Sequence, residues 1–175
     1  LGPIAMGHNG NLVNALALRD ELLDISPDFS TGTDSELILA LVAQAPGEDL
    51  VERIRQTVPR LQGSFSLVFL TRDSVIAVRD SLGNRPLCLG SYAGTWLVAS
   101  ESCAFESLDA KFERDLLAGE IVKIDADGPH SYGDDVHPPT ALCVFEYIYF
   151  ARPDSVIEGT SLYEARARMG AELAR

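Results

Sequence analysis

Cysteine is scarce in this chain: Cys88, Cys103 and Cys143 are the only three in 175 residues, and no two stand in a CxxC spacing. An odd, unpatterned set argues against a disulfide framework and suits a reducing, cytoplasmic setting. Histidine is as sparse, and His8, His130 and His137 are too scattered to show metal-ligand spacing. Basic residues number 14 against 26 acidic ones, for a formal net charge of -12. That field repels phosphate backbones, so no nucleic acid and no anionic membrane surface is expected as a partner. No apolar run approaches the roughly 20 residues of a membrane span, and no signal-peptide pattern opens the chain. There is also no GxGxxG and no GxxxxGK followed by Ser or Thr, which weakens the case for a dehydrogenase or a kinase.

What is present is the composition of an ordinary globular protein, 46% hydrophobic and 23% charged, at a length that allows one compact domain. Residues 3–6 read as a buried strand, followed by an amide-rich corner, His8-Asn9-Gly10-Asn11. Leu12, Ala15, Leu16, Leu22 and Leu23 recur at helical spacing, so a helix is expected over 11–24, then a loop from Ser26 to Thr33. Thr33 is placed to cap a second helix, with Glu36 at the capping-box position and Pro46-Gly47 as its stop. A third helix is expected over 49–61. From Gly63 the period shortens to two, predicting strands at 64–70, 74–79, 86–92, 95–100 and 120–125, with a short helix at 101–108. Residues 125–139 read as a surface loop that exposes His130 and His137, and CVFEYIYF (143–150) as the last strand. A final helix runs from about residue 161 to Arg175 without a cap, and both ends read as cut from a longer chain. Hairpin-linked strands with helices grouped elsewhere indicate an α+β fold.

Chemistry is most readable at two points. An Asn side-chain amide and an adjacent Gly N–H can aim at one oxygen, as Asn9 and Gly10 would in an oxyanion hole, because glycine lets the backbone come close. A carboxylate at a helix start, Asp34, can hold a substrate ammonium group. Both also read as ordinary helix-terminus residues, a cap and a first-turn acid, and spacing alone leaves the two readings open. Cys88 and Cys103 read as small buried apolar residues. Arg79-Asp80 with Arg85-Pro86 reads as a turn holding a local ion pair, and Arg152-Pro153-Asp154 as an interdomain turn.

GHNGNLVNA, TDSELI, GSFSLVFL, RDSLGNRPLCLG, VASESCAFE and GEIVKI, in that order, resemble the class II glutamine amidotransferase domain, a member of the N-terminal-nucleophile hydrolases. CVFEYIYFARPDS and the helix after it look like the bridge toward a phosphoribosyltransferase domain in the glutamine phosphoribosylpyrophosphate amidotransferase branch. The resemblance implies a four-layer αββα sandwich of two antiparallel sheets. It places Asn9 and Gly10 at the oxyanion hole for glutamine hydrolysis and Asp34 at the α-amino group of glutamine. It implies a glutaminase domain over 1–141 and a bridge over 142–175. The parent enzyme would combine phosphoribosyl pyrophosphate and glutamine into phosphoribosylamine, the first committed step of purine synthesis. Mg2+ would belong to the second domain, Cys143 falls on a possible [4Fe–4S] ligand, and a homo-oligomer is implied. The family's nucleophilic N-terminal cysteine and its carboxylate-binding arginine should lie upstream of Leu1, so this piece is expected to be inactive by itself. Another class II amidotransferase, or a non-catalytic domain that binds glutamine or a partner chain, are the alternatives.

Overall fold

The computed structural model describes residues 2–23, 29–133 and 140–175; His137 and the first part of the 26–33 loop lie outside the described residues. Strand β1 (Ala5–Leu12) is followed by α1 (Ala15–Leu23), α2 (Asp34–Gln44) and α3 (Leu50–Thr57). Six strands come next, with a one-turn helix among them: β2 (Gly63–Leu70), β3 (Val75–Arg79), β4 (Cys88–Tyr92), β5 (Thr95–Ala99), α4 (Cys103–Glu106), β6 (Lys111–Asp115) and β7 (Ile121–Asp125). Strand β8 (Gly128–Tyr132), a two-residue pair β9 (Val156–Ile157) and β10 (Thr160–Ser161), and helix α5 (Leu162–Leu173) complete the chain. The first sheet has the order β1-β2-β3-β7-β8 and the second β5-β4-β6, antiparallel throughout.

Alternation along the central strands stacks these layers. On β2, Phe65, Leu67 and Phe69 turn toward α1–α3 and bury against Leu37, Ile38, Leu41 and Ile54. On β3, Ile76 and Val78 join that core, while Ala77 between them joins Val122, Leu87, Leu89 and Leu116 in a second core between the sheets. On the outer face of the second sheet lies α4, with the Phe105 ring against Gly90, where a Cβ would sit 2.8 Å from the ring. The architecture is therefore an α+β sandwich of the αββα type, its fourth layer thinned to one turn of helix.

Four expectations need correction. HNGN is not a corner: β1 continues through it, in register with β2, and pairs Asn9 with Ser66 and Gly10 with Phe65. Two glycines allow that close seam. Gly10 (φ 142°) and Gly63 (φ 131°) lie where L side chains rarely go, and a Cβ on either would collide with the carbonyl oxygen of Ser64 or Asn11 on the other strand. The first helix accordingly starts at Ala15.

CVFEYIYF is not a strand either. It forms a helical turn that ends as a π-helix over Glu146–Phe150. Its carbonyls are satisfied by Arg166 on α5, whose guanidinium donates to Glu146 O, Tyr147 O and Ala151 O at 3.2, 2.8 and 2.6 Å. Aromatic content suggested a strand; a cation from the next element settles the backbone otherwise. The segment 125–139 is not all loop, since Asp125 pairs with Gly128 across a two-residue turn and β8 follows. His130 thus stands on a strand, exposed and 3.5 Å from Asp125. Nothing was expected over 109–119, but charged KFERD forms β6.

The fourth correction concerns Arg79 and Asp80, which do not pair. Arg79 is buried and donates to the carbonyls of Gly83, Arg85 and Leu116, with Glu158 as its ion-pair partner at 3.2 Å. Arg85 reaches 61 residues along the chain to Glu146 at 2.6 Å. Both pairs fasten the tail to the sandwich, as do Glu101, which accepts from Arg152 N–H and the Ser155 hydroxyl at 2.7 and 2.8 Å, and Ser102, which accepts from Val156 N–H.

Glu120 makes the fold acid-sensitive. Burial pushes its carboxyl up, but both Arg114 guanidinium nitrogens, Leu117 N–H and the Ser131 hydroxyl, all at 2.7–2.8 Å, hold it below its ordinary value. A carboxyl depressed in the folded state contributes stability in full above its unfolded value, about 4.3, and loses it as pH falls through the folded value. Acid unfolding monitored by circular dichroism should therefore show a steeper decline below about pH 4 for the native protein than for Glu120→Gln. Equal slopes would remove Glu120 from the account.

Candidate functional site

Period two places Asn9 opposite Ser66 on the face of the first sheet that looks toward the second. A cavity of about 270 Å³ opens there, lined by Gly7, His8 and Asn9 of β1, Ser66 and Val68 of β2, Leu87, and residues 98–100 at the end of β5. Ser66 is buried, and its hydroxyl donates to the carbonyls of Arg85 and Pro86 at 3.2 and 3.1 Å. The turn holding those carbonyls is organised by Asp80, whose carboxylate accepts from the N–H groups of Phe65, Leu82, Asn84 and Arg85. One wall of the cavity is thus fixed by a buried carboxylate.

Asp34 reaches β1 from the helix layer. The cap of α2 is Thr33, whose hydroxyl accepts Glu36 N–H at 3.4 Å, while Glu36 itself is engaged by the N–H groups of Ser30 and Thr31. Asp34 is therefore not the cap. Its carboxylate accepts Leu12 N–H at 2.9 Å and ties the start of α2 to the end of β1. Asn9, Gly10 and Asp34 are brought together along four residues of one strand. His8 stands next to Asn9 on β1 but pairs with Leu67, so its side chain turns toward the helix layer; its Nε2 is buried without a hydrogen-bond partner among the described residues, and burial lowers its pKa against the opposing pull of Asp34.

The three thiols lie elsewhere. Cys88 and Cys103 are buried, and burial pushes the Cys88 thiol up to about 12, where it is inert. Cys143 is half-buried on the tail, its N–H donating to Asn84 O at 3.1 Å. No group of three His, Cys, Asp or Glu side chains among the described residues is arranged to hold a metal, and Cys143 is a single thiol where a [4Fe–4S] cluster takes four. No described helix is long and apolar enough to cross a membrane.

His8, Ser66 and Ser100 were not singled out from the sequence. Ser66 had a usable signal, because it is a hydroxyl between Phe65 and Leu67 in an otherwise apolar strand and so faces away from the helix core.

Two stacked antiparallel sheets with helices outside them define a sandwich of the αββα class. Residues 1–107 match the glutamine amidotransferase domain family, and the chain belongs to it. Within that family it is similar to amidophosphoribosyltransferases. It is 41% identical to that of Rattus norvegicus over 201 residues, covering 99% of this chain and 38% of the relative. It is 43% identical to that of Synechococcus elongatus over 181 residues, covering 100% and 37%. Among solved structures, the glutamine phosphoribosylpyrophosphate amidotransferase of B. subtilis, complexed with ADP and GMP, superposes with a TM-score of 0.93 at 34% identity, covering 98% of this chain and 38% of that one. The chain thus spans about two fifths of the length of the relatives it matches.

Proposed function

We propose that this chain is the glutamine-hydrolysing domain of an amidophosphoribosyltransferase. The observation that supports the reading is Asn9 at the inter-sheet cavity, with Gly10 next to it on β1 and Asp34 bonded to the N–H of Leu12 two residues further on. The Asn9 side-chain amide and Gly10 N–H take the carboxamide oxygen of glutamine as it becomes an oxyanion, and Asp34 takes the α-ammonium group. Donors of this kind act only where charge develops, so they lower the barrier more than they tighten substrate binding. Water cleaves the amide to glutamate and ammonia. At a second site, ammonia attacks C1 of phosphoribosyl pyrophosphate and expels pyrophosphate, giving phosphoribosylamine. Mg2+ belongs with that second site, and nothing among the described residues is arranged for it.

Residues 1–141 form the glutaminase part and 142–175 the bridge. The exposed aromatic face of Phe145, Tyr149 and Phe150 supports coverage by further protein, in a homo-oligomer or from the phosphoribosyltransferase side. Three free thiols suit a reducing, cytoplasmic setting. Among the described residues the cavity is lined by no cysteine, which supports a second reading, a domain that binds glutamine without cleaving it.

The test is to supply the complete native protein with glutamine, Mg2+ and phosphoribosyl pyrophosphate and to measure glutamate and pyrophosphate. Equimolar release, with no ammonia from the 175-residue chain alone, is expected. Glutamate release without pyrophosphate would point to another class II amidotransferase, and ammonia from the short chain would overturn the account of its nucleophile.

A further inference from the structure

Ser66 lies on the inward face of β2, with Val68, while Phe65, Leu67 and Phe69 turn to the helices. It stands directly opposite Asn9 of β1, and side chains so paired on one face have their Cβ atoms about 5 Å apart. Both line the inter-sheet cavity. A carbonyl oxygen cannot donate, so in the contacts with Arg85 O and Pro86 O, at 3.2 and 3.1 Å, the hydrogen belongs to Ser66. What the hydroxyl can still present to the cavity is lone pairs. Asn9 presents amide N–H groups beside it. A donor next to an acceptor matches the two ends of a primary carboxamide, whose oxygen accepts and whose nitrogen donates. We propose that Ser66 Oγ accepts a hydrogen bond from the carboxamide nitrogen of bound glutamine while Asn9 donates to its oxygen, so that the cavity tells the amide substrate from the carboxylate product. The inference rests on the glutamine-hydrolysing reading above and extends it to specificity for the amide group.

The orientation of that hydroxyl is fixed from behind. Ser66 is buried, and the turn it donates to is held by the Asp80 carboxylate and by Arg79, whose Nε donates to the same Arg85 carbonyl at 3.0 Å. Swinging the hydrogen into the cavity would break both of its carbonyl contacts in a place that water does not reach. The rest of the wall competes little. Val68, Leu87 and Val98 are apolar, and the other hydroxyl is that of Ser100, in the bend after β5. Ser100 donates to no partner among the described residues, so it can turn either its hydrogen or a lone pair to a ligand and separates amide from carboxylate poorly. A carboxylate has oxygens at both ends and only accepts. Facing Ser66 it gains no hydrogen bond and meets lone pairs with a negative charge. Glutamate is therefore disfavoured in the pocket that held glutamine, and hydrolysis itself clears the site.

The experiment uses the complete native protein and its Ser66→Ala variant. It measures KM for glutamine, KM for the γ-methyl ester of glutamate, and competitive inhibition by glutamate. The ester keeps the carbonyl and the amino-acid end of glutamine but has no N–H on its leaving atom. Ser66→Ala should raise KM for glutamine roughly fivefold, as expected for one neutral hydrogen bond, leave the ester within about twofold, and not weaken inhibition by glutamate. These quantities do not depend on how much of the variant folds. Ser66→Thr keeps the hydroxyl and should keep the preference for amide over ester. Equal rises for glutamine and ester in Ser66→Ala, or glutamate inhibition weakened in parallel, would overturn the proposal. So would a preference that survives Ser66→Ala and disappears in Ser100→Ala. Any of those results in a protein whose turnover still collapses in Asn9→Ala would refute Ser66 alone. Glutamine turnover indifferent to Asn9→Ala would refute the underlying reading.

Discussion

Asn9→Ala in the complete protein is expected to lower kcat for glutamine hydrolysis roughly 10²- to 10³-fold and to change KM by no more than a few-fold. Asn9 stands on a strand, paired with Ser66, beside a cavity wall that Asp80 and the 80–86 turn hold in place. Its backbone is therefore held in place at the cavity before substrate arrives, and preorganisation is what gives an oxyanion donor its value. The asymmetry between kcat and KM is the informative part. A structural role for Asn9 would lower the amount of folded protein and leave kcat per folded molecule intact. Steady-state kinetics, with active protein counted by a covalent glutamine analogue, would separate the two. A tenfold rise in KM at unchanged kcat would move Asn9 from transition-state stabilisation to ordinary binding.

Asp80→Ala should be the most damaging single change away from the chemistry. The carboxylate is buried and serves four backbone N–H groups, one on β2 and three in the turn after β3. Deleting it strands those donors and frees the Arg85 and Pro86 carbonyls that hold Ser66. A local loss of about 3–4 kcal/mol is expected, since each unpaired buried donor costs about 1–3 kcal/mol and the four are not additive. Native-state hydrogen exchange reads this directly. The amides of Leu82, Asn84 and Arg85 should exchange about 10²- to 10³-fold faster in the variant, while those of α2 change little. Unchanged protection at those three amides would mean that the turn stands without its carboxylate.

Much of the fold was readable in the chain because its strongest signals are local. The face Leu37, Ile38, Leu41 and Val42, capped by Thr33, formed as its spacing predicts, and all four are buried. The hairpin strands from Gly63 onward follow their period. The misreadings share one physical cause, which is that a distant partner decided the backbone. HNGN has the composition of a turn but lies against β2, and only the facing glycines Gly10 and Gly63 permit that approach. CVFEYIYF has strand composition but curls because Arg166 supplies the carbonyl partners. KFERD and GPHSY are poor strand formers that become strands because β4 and β7 present open edges. For the site, the types Asn, Gly and Asp were legible as chemistry. That α2 docks its first carboxylate on Leu12, and that His8 Nε2 has no hydrogen-bond partner among the described residues, depends on tertiary geometry that no local pattern encodes.

Arg79 gives the molecule a timetable. Its guanidinium lies at the centre of the 80–86 turn, yet its counter-charge, Glu158, is 79 residues further along the chain. Synthesis delivers the sheets and both cores well before that carboxylate emerges, so a nascent chain holds a half-dressed cation at its middle until the tail arrives. Completion of the fold is therefore registered electrostatically. A ribosome-bound chain with its first 140 residues or so outside the exit tunnel should be protease-sensitive around the 80–86 turn, and one with residues past about 160 outside it should close there.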